Sequence, residues 1–354
     1  MTTTLFTLAI GASALVAALP SQVMLSGVVD TPCVPKAGAI KPADEFCGSN
    51  VKCSSSIPTM LRISNGGAGL SGLVGNLSNL FIDSQMKAKN PKRFKIEWIK
   101  GDTTESLGYL ATGQADVGIT YNKAAECQAM HDKVSDRREY GFRDHFYLVG
   151  PKANEKNNSF NPAGLMPMPT DGGKPENILQ QMQKIVRTGN QGNTPPTRFL
   201  SRYDKSATNI KDSELFVSIG QVPWGLAYSK WYHQYTMYPI DALQAAALLQ
   251  EYTITDRGTW LSTNKSYTDK LTIYNEGGDV NPADPLLNPA FFLTSAQSCD
   301  DNKKTANAFL DWVISGEGQK AVANFRKPDS TEWLYTSAPT DPNQLIKNCT
   351  VPSI

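Results

Sequence analysis

The stretch "TMLRISNGGAGLSGLVGNLSNLF", residues 59–81, decides the fold. It opens with a strand-like run and passes through a glycine-rich loop. It then places Leu70, Leu73, Val74, Leu77, Leu80 and Phe81 at helical spacing, which predicts one amphipathic helix over 70–81. The same unit recurs downstream. "FKIEWI" alternates as a strand before "GDTTESLGYL", where Asp102 with Glu105 has the pattern of a capping box. "DVGITY" and "KAAECQAMHDK" supply a third strand and helix. Strands alternating with helices predict an α/β fold, a mostly parallel sheet flanked by helices.

Further along, "DHFYLVGPK" reads as a hinge strand, and a second lobe is expected from about residue 148. Its first helix, "NILQQMQKIVRTG", carries Ile178, Leu179, Met182, Ile185 and Val186 on one face with Gly189 as the stop. Strand-like "KLTIYNE" and "PAFFLTS" follow, and "NAFLDWVISGEGQKAVANF" predicts a single closing amphipathic helix.

A chain of 354 residues has material for a bilobal unit with a sizeable core. Thirty-four Lys plus Arg against 33 Asp plus Glu leave a net charge of +1, which gives no footprint for nucleic acid and no polybasic run for a membrane. Residues 1–18 read as a signal peptide, with Val16 and Ala18 placed before a cleavage point, and no later stretch is long enough to span a bilayer. A secreted protein without membrane insertion after signal removal is therefore expected. The six cysteines, Cys33, Cys47, Cys53, Cys127, Cys299 and Cys349, fit no zinc spacing and read as disulfides of unassigned pairing. Residues 19–57 form an expected disulfide-linked N-terminal arm. Asn76, Asn157, Asn264 and Asn348 stand in glycosylation sequons.

Catalytic and cofactor patterns are weak. Gly67, Gly69 and Gly72 spell G-x-G-x-x-G, but the acidic residue a dinucleotide site needs about 20 positions on is missing, so no cofactor is expected. His131, His145 and His233 have no metal-ligand spacing, and Ser71 lacks a nucleophile elbow in register. The stronger signals concern anions. "SNGGAG" (64–69), "DTTES" (102–106), "SRYDKSATN" (201–209) and "TITDRGT" (253–259) offer helix N-terminal N–H groups, short hydroxyls or both, and the last two add Arg202 and Arg257. Some six charge-assisted hydrogen bonds at roughly 1.5–3 kcal/mol each would give about 9–18 kcal/mol before ordering costs, enough for the ~8–12 kcal/mol of micromolar to nanomolar binding.

These last residues carry a resemblance. "LSRYDKSAT" resembles the S-R-x-D-x-S-x-T segment of bacterial extracytoplasmic tungstate-binding proteins of ABC importers, and "YTITDRGTWL" is similar to that family's Y-T-L-T-D-R-G-T-Y-L. "ADVGIT", "LVGPK", "NPAG" and "FLDWVISGEGQKAV" follow in the family's order. The resemblance implies a two-lobed type II periplasmic-binding-protein fold with a ligand cleft between the lobes. Lobe 1 would be discontinuous, 58–147 plus 280–354, and lobe 2 would span 148–279. It implies a non-enzymatic, monomeric protein enclosing a small oxyanion of the tungstate or molybdate class. Ser64, Asn65, Gly66, Gly67, Thr103, Thr104, Arg202, Ser206 and Thr208 would bind the ligand, supported by Asp204, Asp256 and Arg257. The sequence names no importer partner.

Unprotonated dianions favour a cavity of donors, so Asp204 is diagnostic: paired with Arg202 it leaves such a cavity, while bare it would suit a ligand bearing a proton. Two alternatives use the same scaffold. One is a phosphate-ester enzyme with Asp204 and Asp256 or His233 as acid and base. The other is a planar organic ligand stacking on the aromatics between Trp224 and Tyr238.

Overall fold

The computed structural model describes Pro35 and residues 37–152, 161–327, 331–341 and 349. The signal segment, Cys33, Asn157 and Asn348 lie outside the described residues. The chain begins with β1 (Asp44–Phe46), β2 (Thr59–Asn65), α1 (Gly67–Leu70), α2 (Leu73–Gln85), β3 (Lys95–Lys100), α3 (Thr103–Ala111), β4 (Val117–Thr120) and α4 (Lys123–His131). The long β5 (Ser135–Pro151) leads to α5 (Ile178–Gln191), β6 (Phe199–Ser201), α6 (Ala207–Ser218), β7 (Tyr232–Gln234), α7 (Pro239–Leu249), β8 (Tyr252–Asp256), α8 (Arg257–Ser262), α9 (Lys265–Thr268) and β9 (Leu271–Glu276). It finishes through β10 (Leu287–Ser295), α10 (Asp300–Val313), α11 (Gly316–Asn324) and β11 (Thr336–Ser337).

One strand joins two lobes. Residues of β5 up to His145 pair antiparallel with β10, and from Phe146 onward they pair with β8 and β9. The first lobe places β2 between β3 and β4 in parallel, with β1 antiparallel at its edge and β10 antiparallel to β4. In the second lobe β6 lies parallel to both β7 and β8. Parallel pairs thus occupy each lobe's βα units; antiparallel pairs occur at the β1 edge and around β5 and β10, where the chain passes between lobes. Return strands from opposite directions must meet there.

Each lobe has its own core. Leu61, Ile63, Leu73, Val74, Leu77 and Phe81 pack with Phe309 and Trp312 in the first. Phe146, Met182, Ile185, Phe199, Phe216, Trp231 and Ile254 form the second. Burying a side chain of this size contributes about 1.5–3 kcal/mol, so each lobe's apolar stripe fixes its helices against its own sheet. Across the crossing, His145 Nε2 lies 2.8 Å from Asp279 Oδ1, and the Thr336 hydroxyl donates to the same oxygen at 3.0 Å.

Three helix expectations change. The helix foreseen over 70–81 is broken: Gly72 sits at φ 94° as the N-cap of α2, a left-handed conformation that glycine tolerates. Leu70 therefore ends α1 at 47% exposure instead of joining the core. Gly189 does not stop α5, which runs on to a C-cap at Gly192, φ 69°. The bareness of Gly189 serves packing, because a Cβ there would stand 2.6 Å from Trp231 Cγ. The closing helix is also two helices. Ser315 caps α11 by accepting from Gly318 N at 3.4 Å, interrupting the apolar periodicity seen in the sequence.

Cys47 is bridged to Cys53 and Cys127 to Cys349, and no described cysteine is free. The second bridge joins α4 to a residue 222 positions later, a long loop of the kind whose closure most restricts the unfolded chain. Asn264 is an exposed N-cap of α9, accepting from Ser266 N at 2.9 Å, while Asn76 is half-buried on α2.

Candidate functional site

Between the lobes lies a cavity of about 400 Å³, walled by the ends of strands and the beginnings of helices. The first lobe contributes Asn65, Gly66 and Gly67 after β2, and Lys100 to Thr103 between β3 and α3. The second contributes Arg202, Asp204, Ser206, Ala207 and Thr208 around the start of α6, and Thr236 to Pro239 before α7.

The first-lobe wall is built by local chemistry. Asn65 is buried; its amide donates to Ile119 O at 2.8 Å and its carbonyl oxygen accepts from Gly69 N at 2.9 Å, pinning the glycine turn. Gly66 needs to be bare, since a Cβ would lie 3.1 Å from Gly101 O. Asp102 caps α3 with the reciprocal box the sequence indicates: Glu105 N donates to Asp102 Oδ1 at 2.8 Å, and Asp102 N donates to Glu105 Oε2 at 2.9 Å. Thr103, the first residue of α3, is buried against the cavity, so the positive end of that helix is directed there.

The second-lobe wall depends on a strained loop. Tyr203 and Lys205 adopt φ 48° and 64°, conformations costing about 1–3 kcal/mol each that persist only where surroundings enforce them. Asp204 enforces them. Its Oδ2 accepts from Arg202 Nη2 at 2.5 Å and its Oδ1 from Ser206 N at 3.1 Å. Arg202 is 8% exposed, and its Nε donates to Met237 O at 3.1 Å, which ties the loop before α7 to the same cation. Ser206 is the N-cap of α6, accepting from Asn209 N at 3.4 Å, and Ala207 and Thr208 open the helix at the cavity wall. Beneath, buried Asp212 accepts from Ser201 Oγ at 2.7 Å and from Asn209 Nδ2 at 3.3 Å. Burial first, with Asp204 adding to it, pushes the Asp212 carboxyl up to about 7 despite these hydrogen bonds.

Four residues named from sequence lie elsewhere. Ser64 is fully buried, its hydroxyl 2.9 Å from Ser106 Oγ, because strand alternation turns it behind the wall that Asn65 lines. Thr104 is exposed on the second position of α3 and is not part of the lining. Arg257 is drawn away from the cavity. Its ring-facing guanidinium lies 3.8 Å over Trp333, its Nε donates to Trp333 O at 2.8 Å, and it also bonds the Tyr147 hydroxyl. His233 is likewise outside, 2.8 Å from Glu251 on a different surface of the second lobe.

Other lining residues were missed. Lys100 Nζ sits 3.4 Å from the centroid of the Tyr238 ring, a cation–π contact from one lobe to the other. Asn122 Nδ2 also crosses, donating to Glu214 Oε1 at 3.2 Å. Tyr121 and Asp144 line the floor, where Asp256 joins them. Asp256 is the N-cap of α8, accepting from Thr259 N at 2.8 Å and Thr259 Oγ1 at 2.5 Å. A signal for Asp144 existed in "GFRDHFYLVG": a charged residue within a mostly apolar strand has no place unless it faces a cavity or a partner. Among the described residues no group of three or more His, Cys, Asp or Glu is arranged to hold a metal ion.

Two α/β lobes, joined by a shared strand and enclosing a cleft that receives the starts of α3 and α6, define the architecture of a periplasmic-binding-protein fold. The chain belongs to the PBP superfamily: the family model for that domain matches residues 59–317. It is 28% identical over 242 residues to the tungstate-binding protein TupA of Peptoclostridium acidaminophilum, covering 66% of this chain and 72% of the relative. A crystal structure of a periplasmic protein described provisionally as metal binding is 44% identical, with a TM-score of 0.72, covering 84% of this chain and 100% of that one. The tungstate-binding protein TupA of Desulfovibrio alaskensis G20 shares the fold at 22% identity and a TM-score of 0.60, over 78% of this chain and 98% of that one.

Proposed function

We propose that this protein encloses a small oxyanion of the tungstate or molybdate class between its lobes and carries out no chemistry on it. The observation that carries the reading is Arg202, a nearly buried cation oriented by Asp204 and Met237 O at the start of α6, in a cavity that also receives the start of α3. Asp204 is neutralised by Arg202, which is the arrangement an unprotonated dianion requires. Arg202 would supply charge, Thr103, Ser206 and Thr208 hydroxyl donors, and the Gly66–Gly67 turn backbone N–H groups. The tungstate-binding relatives favour the same class of guest, and a provisional description as metal binding accords with an oxyanion of a metal.

The protein would act outside the cytoplasm as a monomer after removal of residues 1–18, with glycans at exposed sequons. An importer would be its partner where one is present. Calorimetry with tungstate, molybdate, sulfate and phosphate tests the reading. Binding of at least one of them well below about millimolar is expected. If none binds in that range and Arg202→Ala changes nothing, the reading is wrong.

A second reading has one observation in its favour. The cavity volume falls within the ~300–1,000 Å³ typical of organic ligands, and Leu70, Phe146, Met237 and Tyr238 give it an apolar flank. An oxyanion borne on an organic body would then outcompete the bare ion, which competition between molybdate and a phosphate monoester would reveal.

A further inference from the structure

The carboxylates around the cleft are not equivalent. Asp204 is matched by Arg202, and both oxygens of Asp256 receive donors from Thr259. Asp144 differs. It is 5% exposed on the strand that links the lobes, its Oδ1 accepts from His145 N at 2.8 Å and its Oδ2 from Asn288 Nδ2 at 3.3 Å, and no ion pair among the described residues engages it. It nevertheless lines the cavity beside Asp256. An ionised Asp144 would present a second negative charge to any dianion that Arg202 attracts, with two neutral hydrogen-bond donors and, among the described residues, no ion-pair partner at its own position to weaken that repulsion.

We propose that Asp144 is a ligand-facing residue that keeps a proton in the bound state and, through it, donates a hydrogen bond to the enclosed oxyanion. The inference rests on the oxyanion reading and sharpens it. A dianion without a proton, such as molybdate, is captured together with one proton from solution whenever Asp144 is ionised in the free protein. An oxyanion that already bears a proton brings it along, and Asp144 accepts that hydrogen bond instead. The balance is one proton per dianion, with no bond to the ligand made or broken.

The surroundings agree with the geometry. Burial first, then the Asp256 carboxylate, push the Asp144 carboxyl well above the usual carboxylate range, against the His145 N–H, the Asn288 amide and the Arg257 guanidinium. Around it stand the hydroxyls of Tyr121, Tyr147 and Tyr335, each pushed up by burial, and next to it in the chain the buried imidazole of His145, which bonds Asp279; Lys100, Asp102, Glu105, Arg202 and Asp204 line the same cavity. Lys327 acts on Asp256 from beyond it.

The test is calorimetry of molybdate binding to the full chain and to Asp144→Asn, from about pH 6.5 to about pH 9 in buffers of different ionisation enthalpy. The amide keeps a donor and cannot titrate. For the wild type, affinity should fall toward about tenfold per pH unit on the alkaline side, with uptake of about one proton per molybdate read from the buffer dependence. Asp144→Asn should bind with a flat profile and no proton uptake; Lys100, common to both proteins, cancels in the comparison. Carboxyl NMR on the wild type, with Asp144 assigned from the variant, should show its titration moving upward when molybdate is added, and this readout does not depend on how the variant folds. Identical profiles for the two proteins, an Asp144 resonance unmoved by molybdate, or loss of binding by a folded Asp144→Asn overturns the proposal while leaving oxyanion binding in place. Binding of none of molybdate, tungstate, sulfate and phosphate by either protein at any pH removes the oxyanion reading beneath it as well.

Discussion

Two junctions of the second lobe use nearly the same residues to opposite effect. At 201–208 two serines, an arginine, an aspartate and a threonine span the junction of β6 and α6. At 255–259 a threonine, an aspartate, an arginine and a threonine join β8 to α8. In the first, Arg202 precedes the N-cap Ser206 by four residues, and the left-handed turns at Tyr203 and Lys205 fold the loop so that Arg202 and Asp204 meet at the cavity. In the second no loop exists. Asp256 ends the strand and caps the helix at once, so Arg257 becomes the first helical residue and reaches away to Trp333 and Tyr147. Position relative to the cap, and not composition, decides whether an arginine faces the cleft or clamps the C-terminal segment.

The largest expected effect concerns what lies under the first junction. Asp212 holds a proton to about pH 7, whereas in the unfolded chain it releases it near its ordinary value of 3.8. Between those values the native state binds more protons, so stability falls as pH rises through the window, by an order of ~4 kcal/mol. Asp212→Asn should flatten that part of the curve of denaturation midpoint against pH. A variant whose curve keeps the wild-type slope would mean that Asp212 does not titrate there.

Next is the pair of arginines themselves. Arg202→Ala should weaken oxyanion binding by 100-fold or more, about 3 kcal/mol, because it removes the charge and leaves Asp204 bare at the cavity. Arg257→Ala should change affinity by less than about threefold and lower thermal stability instead. Equal losses of affinity from both would erase the contrast between the junctions.

Smaller effects sharpen it. Asp256→Ala removes a helix cap and should cost about 1 kcal/mol of stability, measured by urea denaturation. Smallest is the crossing contact: Tyr238→Leu should speed ligand release a few-fold by removing about 0.5–1 kcal/mol of cation–π attraction to Lys100, and Tyr238→Phe should restore the wild-type rate. Stopped-flow displacement distinguishes them, and equal rates for the Leu and Phe variants would deny the ring any part in holding the lobes.

Much of the fold was legible because hydrophobic periodicity is local. The runs at 59–64 and 94–99 read as strands from their local pattern, within a residue of β2 and β3, and Asp102 with Glu105 announced the start of α3 three residues apart. Breaks were harder. Gly72 and Ser315 interrupt helices whose apolar spacing continues across them, while Gly189 is bare to admit Trp231, a neighbour 42 residues away that no window contains.

The sequence by itself determined the alternation of strands and helices, the absence of a strong net charge, and a set of short segments rich in hydroxyls, glycines and arginine. The charge is a sum over the chain, and the other two reside in residues within a few positions of one another, where backbone hydrogen bonding acts locally. Tertiary structure alone decided which segments share one cavity. It turned Ser64 and Arg257 away and brought Lys100, Asp144 and Tyr238 in, because side-chain direction at a strand end or a cap is set by packing against elements far off in the chain. It also decided the charge of that cavity, since the proton on a carboxyl depends on what surrounds it in space.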